Sequence, residues 1–312
     1  MEAQPIKNAK LAKEIIKSRS FRTYSMADRY RELAARTGFD FDATIHLMEY
    51  LPVFMDGAEH KRVRQIMATH LASTSGRQVA RLEDEMGHIF AAVFAAPRNV
   101  ELVSELAQPL WRAISSSIWI LGRGALDLID AVPSLFFPTA SISDRRKVNE
   151  QIEGFIGAAD FQERNLILLC LAVLGARPFV GSVALSLYQI VSENSASRSD
   201  EIPWPQKIPV SSLNYVDRVC KSDTAMEPFQ FGAGDRLRCF TRDRSYTAAE
   251  NTEGLFGFGA HSCLGRPITE TAWRMLVAQL SRIESVLTPI NLQMSFHTEP
   301  FLMPSTALIS VR

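Results

Sequence analysis

The order of apolar and polar residues along this chain is mainly that of α-helices. Over several long stretches, apolar residues recur at intervals of three and four, which places them on one face of a helix. These stretches are residues 9–18, 26–37, 59–72, 76–95, 100–121 and about 146–193. The middle of the last stretch is apolar on nearly every side, so we expect it to form a central, buried helix.

Shorter segments have the composition of β-strands, with β-branched and aromatic residues between turn signals. They lie at residues 215–219, 228–231 and 236–240, within a small β region of about 213–240. A short β-like tail also closes the chain.

The remaining segments complete the predicted architecture. A helix should follow Cys263 through about residue 284, while residues 124–143 should be irregular and the proline-rich residues 194–212 should form a connector. The whole pattern predicts a mainly α fold with a small β portion, arranged as a single domain over residues 1–312.

Charge and composition exclude several classes of protein. Lys plus Arg equals Asp plus Glu at 34 each, so the chain lacks the basic excess of a nucleic-acid-binding protein. The N-terminus has no apolar stretch typical of a signal peptide, and the longest apolar run, Leu166 to Ala176, is too short to cross a bilayer. The four cysteines have no paired spacing. We therefore expect a soluble, reduced, cytoplasmic protein with no nucleic-acid or membrane partner.

The segment around Cys263 has the composition of a metal-ligand turn. Its glycines allow the backbone to turn sharply and to approach a flat group closely, and amides in such a loop can stabilise a thiolate. His261 is placed to meet an anionic group, and Phe256 to shield the sulfur from water. The alternative is a buried free cysteine in a glycine-rich turn. The segment reads Phe256-Gly257-Phe-Gly259-Ala-His261-Ser-Cys263-Leu-Gly265.

This segment resembles the haem-ligand loop of the cytochrome P450 family, F-x-x-G-x-[HR]-x-C-x-G, with every fixed position filled. The resemblance implies a cytochrome P450-like fold in a chain shorter than a typical member. It also implies that haem b (iron protoporphyrin IX) is the cofactor and that Cys263 is the ligand of its iron.

Two further segments resemble propionate-binding parts of that family. Asp56-Gly-Ala-Glu-His60-Lys-Arg-Val-Arg64 is similar to D-P-P-E-H-x-x-x-R, where the histidine and arginine hold one propionate. His60 and Arg64 would share a helix face, as this role requires; the alternative is a solvated charged face. Arg218, in a segment similar to R-x-x-x-x-D, would hold the other propionate.

Other segments follow or depart from the family pattern. Arg242-Asp243 resembles its N-R-D motif, and Phe296–Pro304 resembles a turn that reaches into the substrate pocket. The family's E-x-x-R pair is missing at residues 206–209, which read Gln-Lys-Ile-Pro. The loop between Asp243 and Phe256 is also shorter than usual.

The segment Gly175-Ala-Arg177-Pro178 occupies the place of the family's A-G-x-[DE]-T motif, whose acid and alcohol deliver protons. Arginine does not deprotonate and proline has no side-chain donor, so neither can relay a proton in the usual way. The Arg-Pro pair resembles the fatty-acid peroxygenase branch, in which the arginine binds the substrate carboxylate. Gly175, Arg177 and Pro178 are therefore the candidate catalytic residues. Alternatively, Arg177 pairs with a protein carboxylate or a propionate and Pro178 only bends the helix.

The resemblance implies a haem-thiolate monooxygenase that oxidises a small, largely apolar organic substrate and takes electrons from a ferredoxin-type donor. One alternative is a peroxygenase that uses hydrogen peroxide and binds a carboxylic acid through Arg177. Others are a non-oxygenative dehydratase or isomerase, and a haem-binding scaffold without turnover.

Overall fold

The structure of this chain is a computed structural model. It describes residues 3–119, 123–137, 139–158, 161–241, 256–257, 259–295 and 300–312. Arg242-Asp243, the shortened loop before Phe256 and part of the Phe296–Pro304 turn lie outside the described residues, so the expectations for them stay predictions.

Helices make up most of the described chain. They are α1 (Ala9–Lys17), α2 (Met26–Thr37), α3 (Asp42–Glu49), α4 (Gly57–Ala72), α5 (Gly76–Phe94), α6 (Gln108–Ile118), α7 (Arg123–Ala131), α8 (Ile142–Ile156), α9 (Glu163–Glu193) and α10 (Arg266–Leu280). Serine side chains at Ser25, Ser75 and Ser141 accept hydrogen bonds from amides of the first turns of α2, α5 and α8. These caps fix where the helices begin.

Two helix predictions were wrong. Residues 124–143 are not irregular: they form most of α7, a 3-10 turn (Val132–Phe136) and the start of α8. The single helix predicted from about 146 to 193 is two helices, because α8 ends at Ile156, before Gly157, and α9 begins at Glu163. Glycine has a low helix propensity, and Gly154 and Gly157 weaken the helix where it ends.

The strands are short and form three sheets. They are β1 (Gln4–Ile6), β2 (Phe21–Thr23), β3 (Arg98–Glu101), β4 (Tyr215–Cys220), β5 (Thr224–Met226), β6 (Phe229–Phe231), β7 (Arg236–Phe240), β8 (Leu287–Met294) and β9 (Pro304–Val311). The sheet orders are β1-β7-β4-β2, β3-β9-β8 and β5-β6. The mainly α fold with a small β portion is thus confirmed.

Helix α9 is the centre of the larger hydrophobic core. Its residues from Leu166 to Val173 are buried, and it packs against α4, α6, α7 and the β8–β9 hairpin. By length and composition alone α9 could cross a membrane, but most of its apolar window is buried, as in the core helix of a folded domain. A second, smaller core lies between α1 and the four-stranded sheet.

Candidate functional site

Cys263 lies at the end of a tight turn that leads into α10. Gly257 and Gly259 have φ angles of 71° and 61°, in the left-handed region that favours glycine. A 3-10 turn follows from Gly259 to His261, and the amide of Cys263 donates to the carbonyl of Phe256 at 2.6 Å. The chain therefore folds back on itself, and α10 begins directly behind the cysteine.

The surroundings of the Cys263 thiol raise its pKa overall, although they act in opposite directions. Desolvation by neighbouring protein raises the pKa, while the amides of Gly265 and Arg266 and the charge of Arg64 favour the thiolate. The residue is nevertheless exposed to solvent, so protein packs around the sulfur on some sides and leaves it reachable on another. This accessibility is what a metal ligand needs, and amides at a helix N-terminus stabilise a bound thiolate.

Helix α4 brings two of the predicted basic residues to this turn. The Arg64 guanidinium donates to the carbonyl of Ser262 at 2.8 Å. The His60 ring lies 4.3 Å from the ring of His261, measured between centroids. His60 is 4% exposed, and its Nε2 atom has no hydrogen-bond partner among the described residues. Burial, His261 and Arg64 lower the pKa of His60 to about 4.

Arg218 approaches the same place from the four-stranded sheet. It lies on β4, 5% exposed, and pairs in register with Thr23 of β2. Burial lowers the pKa of Arg218, and electrostatic interactions with Cys239 and with the carboxylate of Asp56 oppose this effect. Of the predicted anchors, His60, Arg64 and His261 thus lie together at the Cys263 turn, and Arg218 interacts electrostatically with Asp56 beside them.

Asp56 is the residue that connects these groups. Its Oδ2 atom accepts hydrogen bonds from the amide and the hydroxyl of Thr23 at 2.7 and 2.8 Å. Its Oδ1 atom lies 3.5 Å from Nε2 of His261. Burial raises the pKa of Asp56, but the hydrogen bonds from His261 and Thr23 outweigh burial and hold the pKa well below its usual range.

The basic residues and Cys263 fit a haem group. The buried Nε2 of His60, which has no partner in the described part of the chain, and the guanidinium groups of Arg64 and Arg218 could bind the two carboxylates of the porphyrin. Within the described residues, no group of three or more His, Cys, Asp or Glu side chains is placed to hold a metal ion. A porphyrin would bring its own ring of nitrogen ligands for an iron bound at Cys263.

The candidate catalytic residues lie in the middle of α9. Arg177 stacks over the ring of Phe137 at 4.2 Å and lines a cavity of about 530 Å³. The rest of the lining combines apolar residues with four polar ones, among them Asp130. Burial raises the pKa of Asp130, and its ion pair with Arg112 opposes the shift. The cavity can therefore hold an apolar molecule that also carries a polar group.

Gly175 and Pro178 have packing contacts in the structure. A Cβ atom at Gly175 would lie 2.2 Å from the Trp111 indole, whose Nε1 donates to the carbonyl of Ala172 at 3.2 Å. Helix α9 continues through Pro178, whose carbonyl accepts a hydrogen bond from Ser212 at 3.0 Å. A direct part for Gly175 or Pro178 in catalysis stays a prediction.

Sequence reasoning missed several residues of these two sites. The sequence did not point to Thr23, because Thr23 lies in a strand of only three residues. It also did not reveal that Asp56 links Thr23 to His261, because the segment that begins at Asp56 is typical of a helix start. The contact of Trp111 with Gly175 and that of Phe137 with Arg177 were missed, because the members of each pair are distant in sequence. The fixed spacing of a motif reveals residues within one segment only.

Solved structures match this chain over nearly its whole length, although comparisons of sequence find no match. No sequence model of a protein family and no curated protein matches the chain. P450BioI, solved with an acyl carrier protein carrying hexadec-9Z-enoic acid, matches with a TM-score of 0.75 and 14% identity, covering 99% of this chain and 92% of that one. CalO2 matches with a TM-score of 0.73 and 15% identity, covering 99% and 90%.

A third solved structure, the versatile cytochrome P450 enzyme CYP109B1 from Bacillus subtilis, matches with a TM-score of 0.69 and 13% identity. The match covers 98% of this chain and 92% of that one. Identities this low show a shared fold only. The chain has the cytochrome P450 fold.

Proposed function

We propose that this chain is a haem-thiolate oxidoreductase of cytochrome P450 type, with Cys263 as the ligand of the haem b iron. The observation that carries the proposal is the exposed Cys263 thiol, which lies at the N-terminus of α10 beside a cluster of basic side chains. The shared fold supports it independently. A haem ligated by thiolate supplies the capacity to activate an oxygen–oxygen bond.

The protein's own residues would hold and insulate this cofactor. Arg64 and Arg218 would bind the two carboxylates, with His60 and His261 as further donors. The amides that follow Cys263 would stabilise its thiolate charge. The Phe256 ring, with Arg266 at 5.3 Å from its centroid, would limit the access of water to the sulfur.

The substrate proposed here is a small, largely apolar organic molecule bound in the cavity beside Arg177. The apolar lining residues, among them Val103, Ile129 and Val180, support the apolar character, since burial of apolar surface is the main source of affinity in such cavities. The oxygen-dependent reaction would need a ferredoxin-type electron donor. We expect the enzyme to act in the cytoplasm as a soluble protein.

A peroxygenase is the second candidate function. Arg177 lines the cavity, and neither Arg177 nor Pro178 can act as the usual proton donor. A substrate carboxylate held by Arg177 would take over the transfer of protons to and from hydrogen peroxide, and no electron donor would be needed. Turnover of a carboxylic acid with peroxide alone, lost in Arg177→Ala, would favour this function. Conversion without oxygen or peroxide would instead favour a dehydratase or isomerase.

The proposal is tested by the spectrum of the purified chain after haem is added. The reduced, carbon-monoxide-bound form should show the Soret band of a thiolate-ligated haem. Cys263→Ser should lose that band, whereas Ser262→Ala, which alters the neighbouring side chain of the same turn, should keep it. If the chain binds no haem, or if Cys263→Ser leaves the spectrum unchanged, the proposal is wrong. Haem binding without any turnover would indicate a scaffold.

A further inference from the structure

Asp56 places a carboxylate among the basic side chains of the cofactor site. An aspartate directly before a helix usually accepts a hydrogen bond from an amide of the first turn. Asp56 precedes α4 but makes no such bond. Its carboxylate instead points to Thr23 and to His261.

The carboxylate of Asp56 lies close to basic side chains that would also bind the carboxylate of a ligand. It lies 3.5 Å from His261, its charge reaches both Arg218 and His60, and two hydrogen bonds from Thr23 fix its position. Burial disfavours the charged form of Arg218, and the negative charge of Asp56 opposes this effect. Part of the positive charge that would attract a ligand's carboxylate is therefore already neutralised by Asp56.

We propose that Asp56 is an internal counter-ion of the cofactor site, which stabilises the cofactor-free protein and lowers the affinity for the carboxylates of haem. The proposal rests on the proposed function, because it assumes that the basic residues bind the haem carboxylates. It assigns to Asp56 a positioning role through His261 and Arg218, and it requires no contact with the iron.

According to this proposal, loss of the Asp56 charge destabilises the cofactor-free protein but strengthens haem binding. The variant Asp56→Asn tests both effects. The variant keeps the size of the side chain and removes its charge. The cofactor-free variant should unfold about 2 °C or more below the wild type. Once loaded, it should release haem to excess apomyoglobin about threefold to tenfold more slowly, because one repulsive charge is gone. The side chain of Asp56 is 43% exposed, and solvent screening keeps the expected change moderate.

Two further variants separate charge from structure. Asp28→Asn removes an exposed carboxylate from a surface pair with Arg31 and should change neither measurement. Thr23→Val removes the hydroxyl that fixes Asp56 but keeps its charge, so it should lower stability without slowing the release of haem. If Asp56→Asn does not fold, Asp56→Ser, which can cap α4, takes its place.

The outcomes distinguish this proposal from the proposed function. Haem release from the Asp56 variant that equals or exceeds the wild-type rate overturns the role of Asp56, as does an unchanged Tm of the cofactor-free form. A wild-type chain that takes up no haem overturns the proposed function instead. In that case inorganic phosphate serves as the probe: it should raise the Tm of Asp56→Asn more than that of the wild type, and an equal rise overturns the role of Asp56.

Discussion

At the scale of single residues, Gly175 shows how a structure can change the interpretation of a motif. Its position in the family pattern suggested a catalytic residue, but its missing side chain is what admits the Trp111 indole. Trp111 also contacts Trp119 and Phe179, with ring centroids 5.0 and 5.1 Å apart. Gly175 therefore has a packing role that is independent of any chemistry.

Gly175→Ala should destabilise the protein by about 1–3 kcal/mol, because the new methyl group would overlap the buried indole. The measurement is the free energy of unfolding from urea denaturation. Gly87→Ala is the matched control: it also lies within a helix, but a methyl group there meets no atom within 4 Å, so it should be neutral or slightly stabilising. Equal stabilities of wild type and Gly175→Ala would contradict the packing role.

At the scale of elements, a buried arginine holds the segment between α7 and α8. Arg145 is 4% exposed and donates to the carbonyls of Leu135 and Ala140 at 3.0 and 3.1 Å. It also donates to Phe137, whose ring lies under Arg177. One side chain of α8 thus holds the residue against whose ring Arg177 packs.

Arg145→Lys should lower the free energy of unfolding by about 2 kcal/mol or more, because a lysine cannot reproduce the forked set of donors and leaves buried carbonyls without partners. Limited proteolysis should also cut the segment around residues 135–140 faster. The control is Arg146→Lys, since Arg146 is exposed and lies over Phe39. The assigned role is wrong if the two variants unfold alike.

Whether a helix or strand could be predicted from the sequence depended on its length. Helices α2 and α5 were predicted almost residue by residue, because each is long, periodic and capped by a serine. The strands β1 and β2 were missed, since three residues cannot show an alternating pattern. Helix α3, with eight residues, was missed for the same reason.

At the scale of the whole molecule, the candidate site is assembled from distant parts of the chain. Arg64 and Ser262, which are joined by a hydrogen bond, are 198 residues apart in sequence. The motif around Cys263 could be recognised because its residues lie within one turn. The network through Asp56 could not be predicted, because it depends on the pairing of β2 with β4 and on the position of α4 beside them. Long-range packing of this kind leaves no periodic signal.

Because the site joins these separate elements, a bound cofactor should stabilise the whole fold. A ligand present at about one hundred times its Kd adds about 2.7 kcal/mol to the free energy of unfolding. His60 should contribute to this gain, since its buried Nε2 has no partner among the described residues and would find one in a carboxylate. In the cofactor-free chain, the same atom costs about 1–3 kcal/mol.

His60→Leu should therefore have opposite effects on the two forms of the protein. The cofactor-free variant should unfold at the wild-type temperature or above it, because a buried polar atom with no partner among the residues that the structure describes has been removed from the core. The rise in Tm on adding haem should be smaller than in the wild type by about 2 °C or more. His88→Leu, at an exposed position of α5, should change neither value. A full haem-induced rise in His60→Leu would show that His60 does not bind the cofactor, and the site would then depend on Arg64, Arg218 and His261 alone.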